Sequence, residues 1–240
     1  MKLDILVIVA HPDDAELACS GTLIKHIQLG KKVGVLDLTQ GELGTRGTIE
    51  TRYQEAKESS AIMGLSIRDN LKIADGFFKN DQETQLKLIQ KIRKYQPEIV
   101  LTNAIKDRHI DHGKGAKLTH DALFLAGLRK IETLHEGNLQ NPWRPKQHYY
   151  CIQDEYIEPD FVIDITPYWE QKMKSIKAFK TQFFIENEDQ NEPQTPISNP
   201  DFIYFLEARA RELGRSIGVT YAEGFTKNRQ LGVNNLFDLI

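Results

Sequence analysis

Cysteine is scarce: the 240 residues hold two, Cys19 and Cys151, far apart along the chain. That argues against a disulfide framework and against a paired CxxC redox or zinc motif, and it suits a reducing compartment, so the expected location is the cytoplasm. Long apolar runs are missing as well. The most hydrophobic stretch, Leu3–Ala10, spans eight residues, well short of the roughly 18–20 that a membrane-spanning helix needs. Too little chain precedes His11 for a signal peptide, and no membrane partner is expected. An excess of positive charge is absent too: 31 Lys and Arg face 34 Asp and Glu, a formal net charge of −3. Nucleic acids and anionic membranes recruit basic faces, so no nucleic-acid partner is expected. No glycine lies between Met1 and Cys19, and neither G-x-G-x-x-G nor GxxxxGK[ST] occurs, so nucleotide binding loses its usual device. No G-x-S-x-G stands between a predicted strand and helix, which weakens a serine hydrolase.

What is present is an alternation. Leu3–Ala10 (LDILVIVA) is a continuous apolar run rich in Ile and Val, as in a strand buried on both faces of a parallel sheet. Ala15–Gly30 carries Leu17, Leu23, Ile24, Ile27 and Leu29 and ends on glycine, which predicts a helix and its stop. The pattern predicts further strands at Lys32–Thr39, Leu71–Ala74 and Glu98–Asn103. Helices are predicted at Thr51–Gly64, Asp81–Tyr95 and from about His112 to Leu128. The expected fold is therefore α/β: a Rossmann-like, doubly wound, mostly parallel sheet with helices on both faces. Residues 1–145 form this core in a single domain, and 146–240 a C-terminal α/β extension. The extension has strands at Lys146–Gln153 and Phe161–Thr166 and helices at Tyr168–Phe184 and Phe202–Gly214. Within it, Glu186–Pro200 has three prolines, four acids and almost no apolar surface; residues 186–200 are expected to be a mobile loop, or a lid.

In open α/β sheets, ligands bind at the carboxyl ends of the strands. His11-Pro12-Asp13-Asp14-Ala15-Glu16 follows the first strand, and Asp107-Arg108-His109-Ile110-Asp111-His112 follows the Glu98–Asn103 strand. Either cluster alone reads as a polar helix start, because proline and acids suit a first turn. Together they bring two sets of His and Asp to one mouth. His11 and Asp14 at i, i+3, joined by His112, make a His₂Asp set with one position open for water, the pattern of catalytic rather than structural zinc. Asp13 then serves as the base for that water. His109 faces the substrate carbonyl, with Asp111 fixing its tautomer and favouring its protonated state. Zn²⁺ is the expected cofactor, although such a set also accommodates Fe²⁺ or Co²⁺.

The two motifs, AHPDDAE and H-x-D-H, resemble those of the PIG-L / LmbE-like family of zinc-dependent N-acetylglucosamine deacetylases. The likeness continues through QGELGTRGT with Arg52, FVIDIT, KTQF at Lys180–Phe183 and YAEGF at Tyr221–Phe225. In these it is similar to the bacillithiol-biosynthesis branch, which removes acetyl from N-acetylglucosaminyl-malate. The resemblance implies His11, Asp14 and His112 as zinc ligands, Asp13 as base, His109 as oxyanion stabiliser and Asp111 as its orienting partner. It also implies a homo-oligomer, a hexamer. Ile110 stands where the family more often has proline.

The expected partner is a small-molecule N-acetylglucosamine conjugate. A malate aglycone carries two carboxylates and calls for a cation at the mouth, best supplied by arginine. Arg52, matching a ligand-contacting arginine of the family, is the first candidate; Arg46 and Arg108 are further ones. Glu16 is expected to support the helix start, and His26, His120, His135 and His148 to be structural. Tyr221 and Glu223 are expected at the surface, with a place in the sugar pocket as the alternative. Two other functions compete: the same site acting on chitooligosaccharides or other conjugate amides, and a non-catalytic metal- or sugar-binding module.

Overall fold

The computed structural model describes residues 1–183 and 193–239. The chain begins with β1 (Ile5–Val9), α1 (Asp14–Gln28), β2 (Val33–Asp37), α2 (Ile49–Met63) and β3 (Ile67–Asn70). It continues through α3 (Gln82–Tyr95), β4 (Ile99–Thr102), α4 (Ile110–Ala126) and a small hairpin of β5 (Leu134–His135) and β6 (Asn138–Leu139). Then come β7 (Gln147–Cys151), β8 (Phe161–Asp164), α5 (Trp169–Lys177), α6 (Asp201–Arg215) and β9 (Ala222–Lys227). One seven-stranded sheet runs β3-β2-β1-β4-β7-β9-β8. Its first five strands are parallel, and β9 runs antiparallel to both β7 and β8. This is the mostly parallel α/β sheet that the alternating pattern predicts.

β1 shows why its sequence lacks a polar face. Leu6 and Ile8 enter a core with Leu88 and Ile92 of α3 and Leu118 of α4, while Ile5, Val7 and Val9 enter another with Cys19 and Leu23 of α1. Both faces are covered, so both must be apolar. α5 packs on α1 and α2 and builds a third cluster with α6 through Ile176, Phe179, Leu206 and Ala210. Cys19 and Cys151 are free, buried thiols that both lie in the second core. No helix among the described residues is long and apolar enough to cross a membrane.

Three expectations are corrected. The third strand lies at Ile67–Asn70, not Leu71–Ala74: it is an edge strand paired only with β2, and its Arg68 turns inward onto Asp37 (2.8 Å) and Glu16 (2.6 Å), so it needs no apolar run. The helix expected at Tyr168–Phe184 is shorter, because a 3₁₀ turn at Thr166–Tyr168 precedes α5 and the helix ends at Lys177. Glu223 is not at the surface but 4% exposed on β9, and it breaks into the middle of α1. Its carboxylate accepts from Gly21 N (3.0 Å) and Thr22 N (2.7 Å), while Lys172 Nζ donates to Glu223 (2.8 Å), Glu16 O (3.0 Å) and Leu17 O (2.8 Å). Tyr221 stacks on Trp169 at 4.3 Å. Of the segment 186–200, residues 186–192 lie outside the described residues; 193–200 turn into α6, with Thr195 N donating to Ser198 Oγ at 2.8 Å.

Candidate functional site

β1 lies between β2 and β4, so the chain leaves the sheet in opposite directions after β1 and after β4, and a crevice opens at their carboxyl ends. Both polar clusters stand there. Asp13, the N-cap of α1, has φ 121°, a region that favours glycine, and makes no capping hydrogen bond with its side chain. A strained residue of this kind costs about 1–3 kcal/mol and persists where surrounding structure fixes it, commonly at a site. His109 is the N-cap of α4, its Nδ1 accepting from Asp111 N at 3.3 Å.

The geometry distinguishes the two nitrogens of each ligand candidate. His11 Nε2 bonds to Asp75 Oδ1 at 3.0 Å, which leaves Nδ1 facing Asp14 Oδ2 at 3.6 Å. His112 Nδ1 bonds to Asp107, which leaves Nε2 at 3.0 Å from Asp14 Oδ1. Outer nitrogens held by carboxylates, inner nitrogens converging on a third carboxylate: this is the way histidines are oriented around a metal. Two other groupings, His11, His109 and His112, and His11, Asp75 and Asp111, have donor atoms that all lie within 4.8 Å of one another. The first would need a nitrogen of His109, whose Nδ1 caps a helix. The second would displace the bond that orients His11. The arrangement of His11, Asp14 and His112 leaves in place the bonds that orient both imidazoles.

The charges agree with that choice. Burial works against a charged His11, but hydrogen bonds to Asp111, Asp14 and Asp75 prevail and raise its pKa well above the usual value. Burial likewise opposes charge on His112, yet Asp14 and Asp107 hold it up to about 9. Asp14 stays well below the carboxylate range despite burial, because His112 and His11 face it. A carboxylate set that grips protons this hard on two imidazoles is equally suited to a divalent cation. Burial pushes Asp13 up to about 7 against the opposing charge of Arg52.

Several expected roles change. Asp111 does not orient His109: its carboxylate accepts from Gly76 N (2.7 Å) and Lys114 Nζ (3.3 Å) and faces His11 Nε2 at 3.6 Å. Burial, then the neighbouring His11 and His112, lower the pKa of His109, which favours its neutral form. With Nδ1 accepting a backbone N–H, the neutral ring carries its proton on Nε2. Arg52 is 6% exposed and turned inward, donating to Pro12 O (2.9 Å) and Asp13 Oδ2 (3.4 Å). Arg108 is spent on Asp154 Oδ2 at 2.6 Å. Arg46 does not line the cavity; its carbonyl accepts from Gln182 Nε2. The chain's G-x-S-x-G, Gly214–Gly218, ends α6, where Ser216 Oγ donates to Leu213 O, and is no nucleophile elbow.

Sequence reading missed Asn103 and Gln153, which donate to Asp14 at 3.0 and 3.2 Å. Both stand just past strand ends, the signal that marked the two clusters. It also missed Asp75 and the partnership of Asp107 with His112. All of this floors a cavity of about 560 Å³, a size suited to a small ligand.

Residues 6–123, a span holding both clusters, match the PIG-L family, described as GlcNAc-PI de-N-acetylase. The chain belongs to the PIG-L/LmbE-like deacetylase family. Among solved structures, a conserved protein of Thermus thermophilus superposes with a TM-score of 0.85 at 35% identity, covering 97% of this chain and 98% of that one. Diacetylchitobiose deacetylase of Thermococcus kodakarensis is 28% identical over 92% of this chain and 81% of its own length. 4-Oxalmesaconate hydratase of Pseudomonas putida is 27% identical over 74% of this chain and 73% of its own length.

Proposed function

We propose that this protein is a zinc-dependent N-deacetylase of N-acetylglucosamine conjugates, acting on N-acetylglucosaminyl-malate in bacillithiol biosynthesis. One observation carries the reading: the inner nitrogens of His11 and His112 share the Asp14 carboxylate beside a strained Asp13 on the floor of a sugar-sized cavity. His11, Asp14 and His112 would hold a divalent ion, which when bound supplies Lewis-acid polarisation of the acetyl carbonyl and a more acidic water. Zinc suits the His₂Asp donors, and Fe²⁺ is the alternative.

This chain's own residues supply the rest. Arg52 holds Asp13 Oδ2, so Oδ1 is the oxygen free to take a proton from the attacking water. As the water oxygen bonds to the acetyl carbon and the C–N bond breaks, Asp13 passes that proton to the departing nitrogen, and acetate and a free amine result. His109 Nε2–H donates to the carbonyl oxygen as negative charge develops there. A neutral imidazole does this as a fixed hydrogen-bond donor, without having to give up its proton.

The likeness to diacetylchitobiose deacetylase supports a second substrate class, neutral chitooligosaccharides. The free, buried cysteines support a cytoplasmic location; the family resemblance supports a homo-oligomer. An amine-release assay on N-acetylglucosaminyl-malate, diacetylchitobiose and N-acetylglucosamine tests the reading. The malate conjugate should be fastest, and Asp13→Asn should lower kcat by roughly 10²–10⁴-fold with metal content retained. Release from none of the three overturns the deacetylase reading, and an active Asp13→Asn overturns the assigned base.

A further inference from the structure

Two of the arginines that the sequence offers for an acidic substrate already face a carboxylate of the chain: Arg52 Nη1 lies at Asp13 and Pro12 O, and Arg108 Nε at Asp154. A fourth, Arg209 on α6, lines the same cavity as His11, Asp13 and His109. Its only hydrogen bond among the described residues runs from Nη2 to the carbonyl oxygen of Asp154, at 2.5 Å. Its guanidinium carbon lies 4.6 Å from the centroid of the Phe205 ring, which holds the plane from one side.

Two other guanidinium groups of the chain, those of Arg68 and Arg93, carry far more bonds. Arg68 is shared by the carboxylates of Asp37 and Glu16. Arg93 donates to three backbone carbonyls and Thr133 Oγ1. Arg209 has one acceptor for five N–H donors and no carboxylate partner among the described residues. Burial lowers its pKa, against the more distant charges of Asp154 and Asp107. A partly desolvated cation with unused donors, opening on a cavity, is matched by an anion that arrives with the ligand, and the planar fork suits a carboxylate.

We propose that Arg209 anchors a carboxylate of the substrate and so selects acid-bearing conjugates over neutral ones. The reaction in the same cavity rests on the deacetylase reading; the anion site does not. The carboxylate has two possible sources, the aglycone of a sugar conjugate or a free hydroxy acid, and the experiment separates them.

Arg209→Met keeps the stem against Phe205 and removes the fork. For wild type, Arg209→Met and Arg209→Lys, kcat/KM is measured on N-acetylglucosaminyl-malate and on diacetylchitobiose. The acid-to-neutral ratio should fall roughly 10- to 100-fold in Arg209→Met, through KM for the acid, with Arg209→Lys in between. An unchanged ratio, or an equal loss on both substrates, overturns the proposal. If wild type hydrolyses neither, the deacetylase reading has failed and calorimetry with malate alone decides. Binding by wild type that Arg209→Met abolishes supports the anion site; equal binding by both, or none by wild type, overturns it.

Discussion

Two groups of buried charge differ in how they are closed. In the wedge through α1, Lys172 spends its three donors on Glu223, Glu16 O and Leu17 O, and Glu223 accepts from Lys172, Gly21 N and Thr22 N. Nothing is left over, and the pair faces no cavity. At the mouth of β1 and β4, His11 and His112 both lean on one carboxylate, their outer nitrogens fixed by Asp75 and Asp107, and the cluster opens on a cavity. Burial and charge therefore do not by themselves separate a site from a strut. Oriented donors that converge with more affinity than the chain satisfies do, and Arg209 meets the same criterion in milder form.

The contrast can be broken at either end. Lys172→Met strands the Glu223 carboxylate and should cost about 3–5 kcal/mol in denaturant unfolding, with metal content per folded chain unchanged. The double variant Lys172→Met/Glu223→Leu should recover part of that. A loss of metal in Lys172→Met would join the two clusters into one. At the mouth, Asp107→Asn should weaken metal affinity by about 10- to 100-fold with little effect on stability. Unchanged affinity would mean that the outer nitrogen of His112 does not matter for binding.

A third buried group has its own pH signature. His148 on β7 lies against Tyr150 and near His120, and its Nε2 has no hydrogen-bond partner among the described residues. Burial, then the charge of His120, lowers its pKa to about 3. Folded His148 stays neutral while the unfolded imidazole takes a proton below about pH 6.5, so stability falls as pH drops from there toward 3. His148→Phe lacks this dependence. Its stability relative to wild type should rise between pH 7 and pH 4, by at most about 1.4 kcal/mol per unit. A flat difference would show that His148 is not held neutral.

The parts of the fold visible in the sequence are those whose burial is two-sided and local. β1, β2 and β4 carry apolar residues on both faces because helices cover both. β3 escaped because an edge strand reading Ile-Arg-Asp-Asn carries its polarity inward, onto Asp37 and Glu16. β9 escaped because the partners that make a buried Glu223 tolerable come from α1 and α5. The hairpin at 134–139 turns on Glu136 and Gly137, both at positive φ, a weaker signal than Asn-Gly.

The site divides in the same way. His11, Asp14 and His112 were legible because strand ends in a parallel sheet face one crevice. Asp111 was paired with His109 by closeness in sequence, but it turns instead to Gly76 and His11. Asp75 and Arg209 stand in no motif; the topology alone brings the loop after β3 and helix α6 to the mouth.

The most direct measurement is an anomalous diffraction map from crystals grown with zinc. One ion is predicted per chain, about 2.0–2.2 Å from His11 Nδ1, His112 Nε2 and an oxygen of Asp14. An ion bound instead between His11 Nε2, Asp75 and Asp111, or no ion at all, would contradict the account.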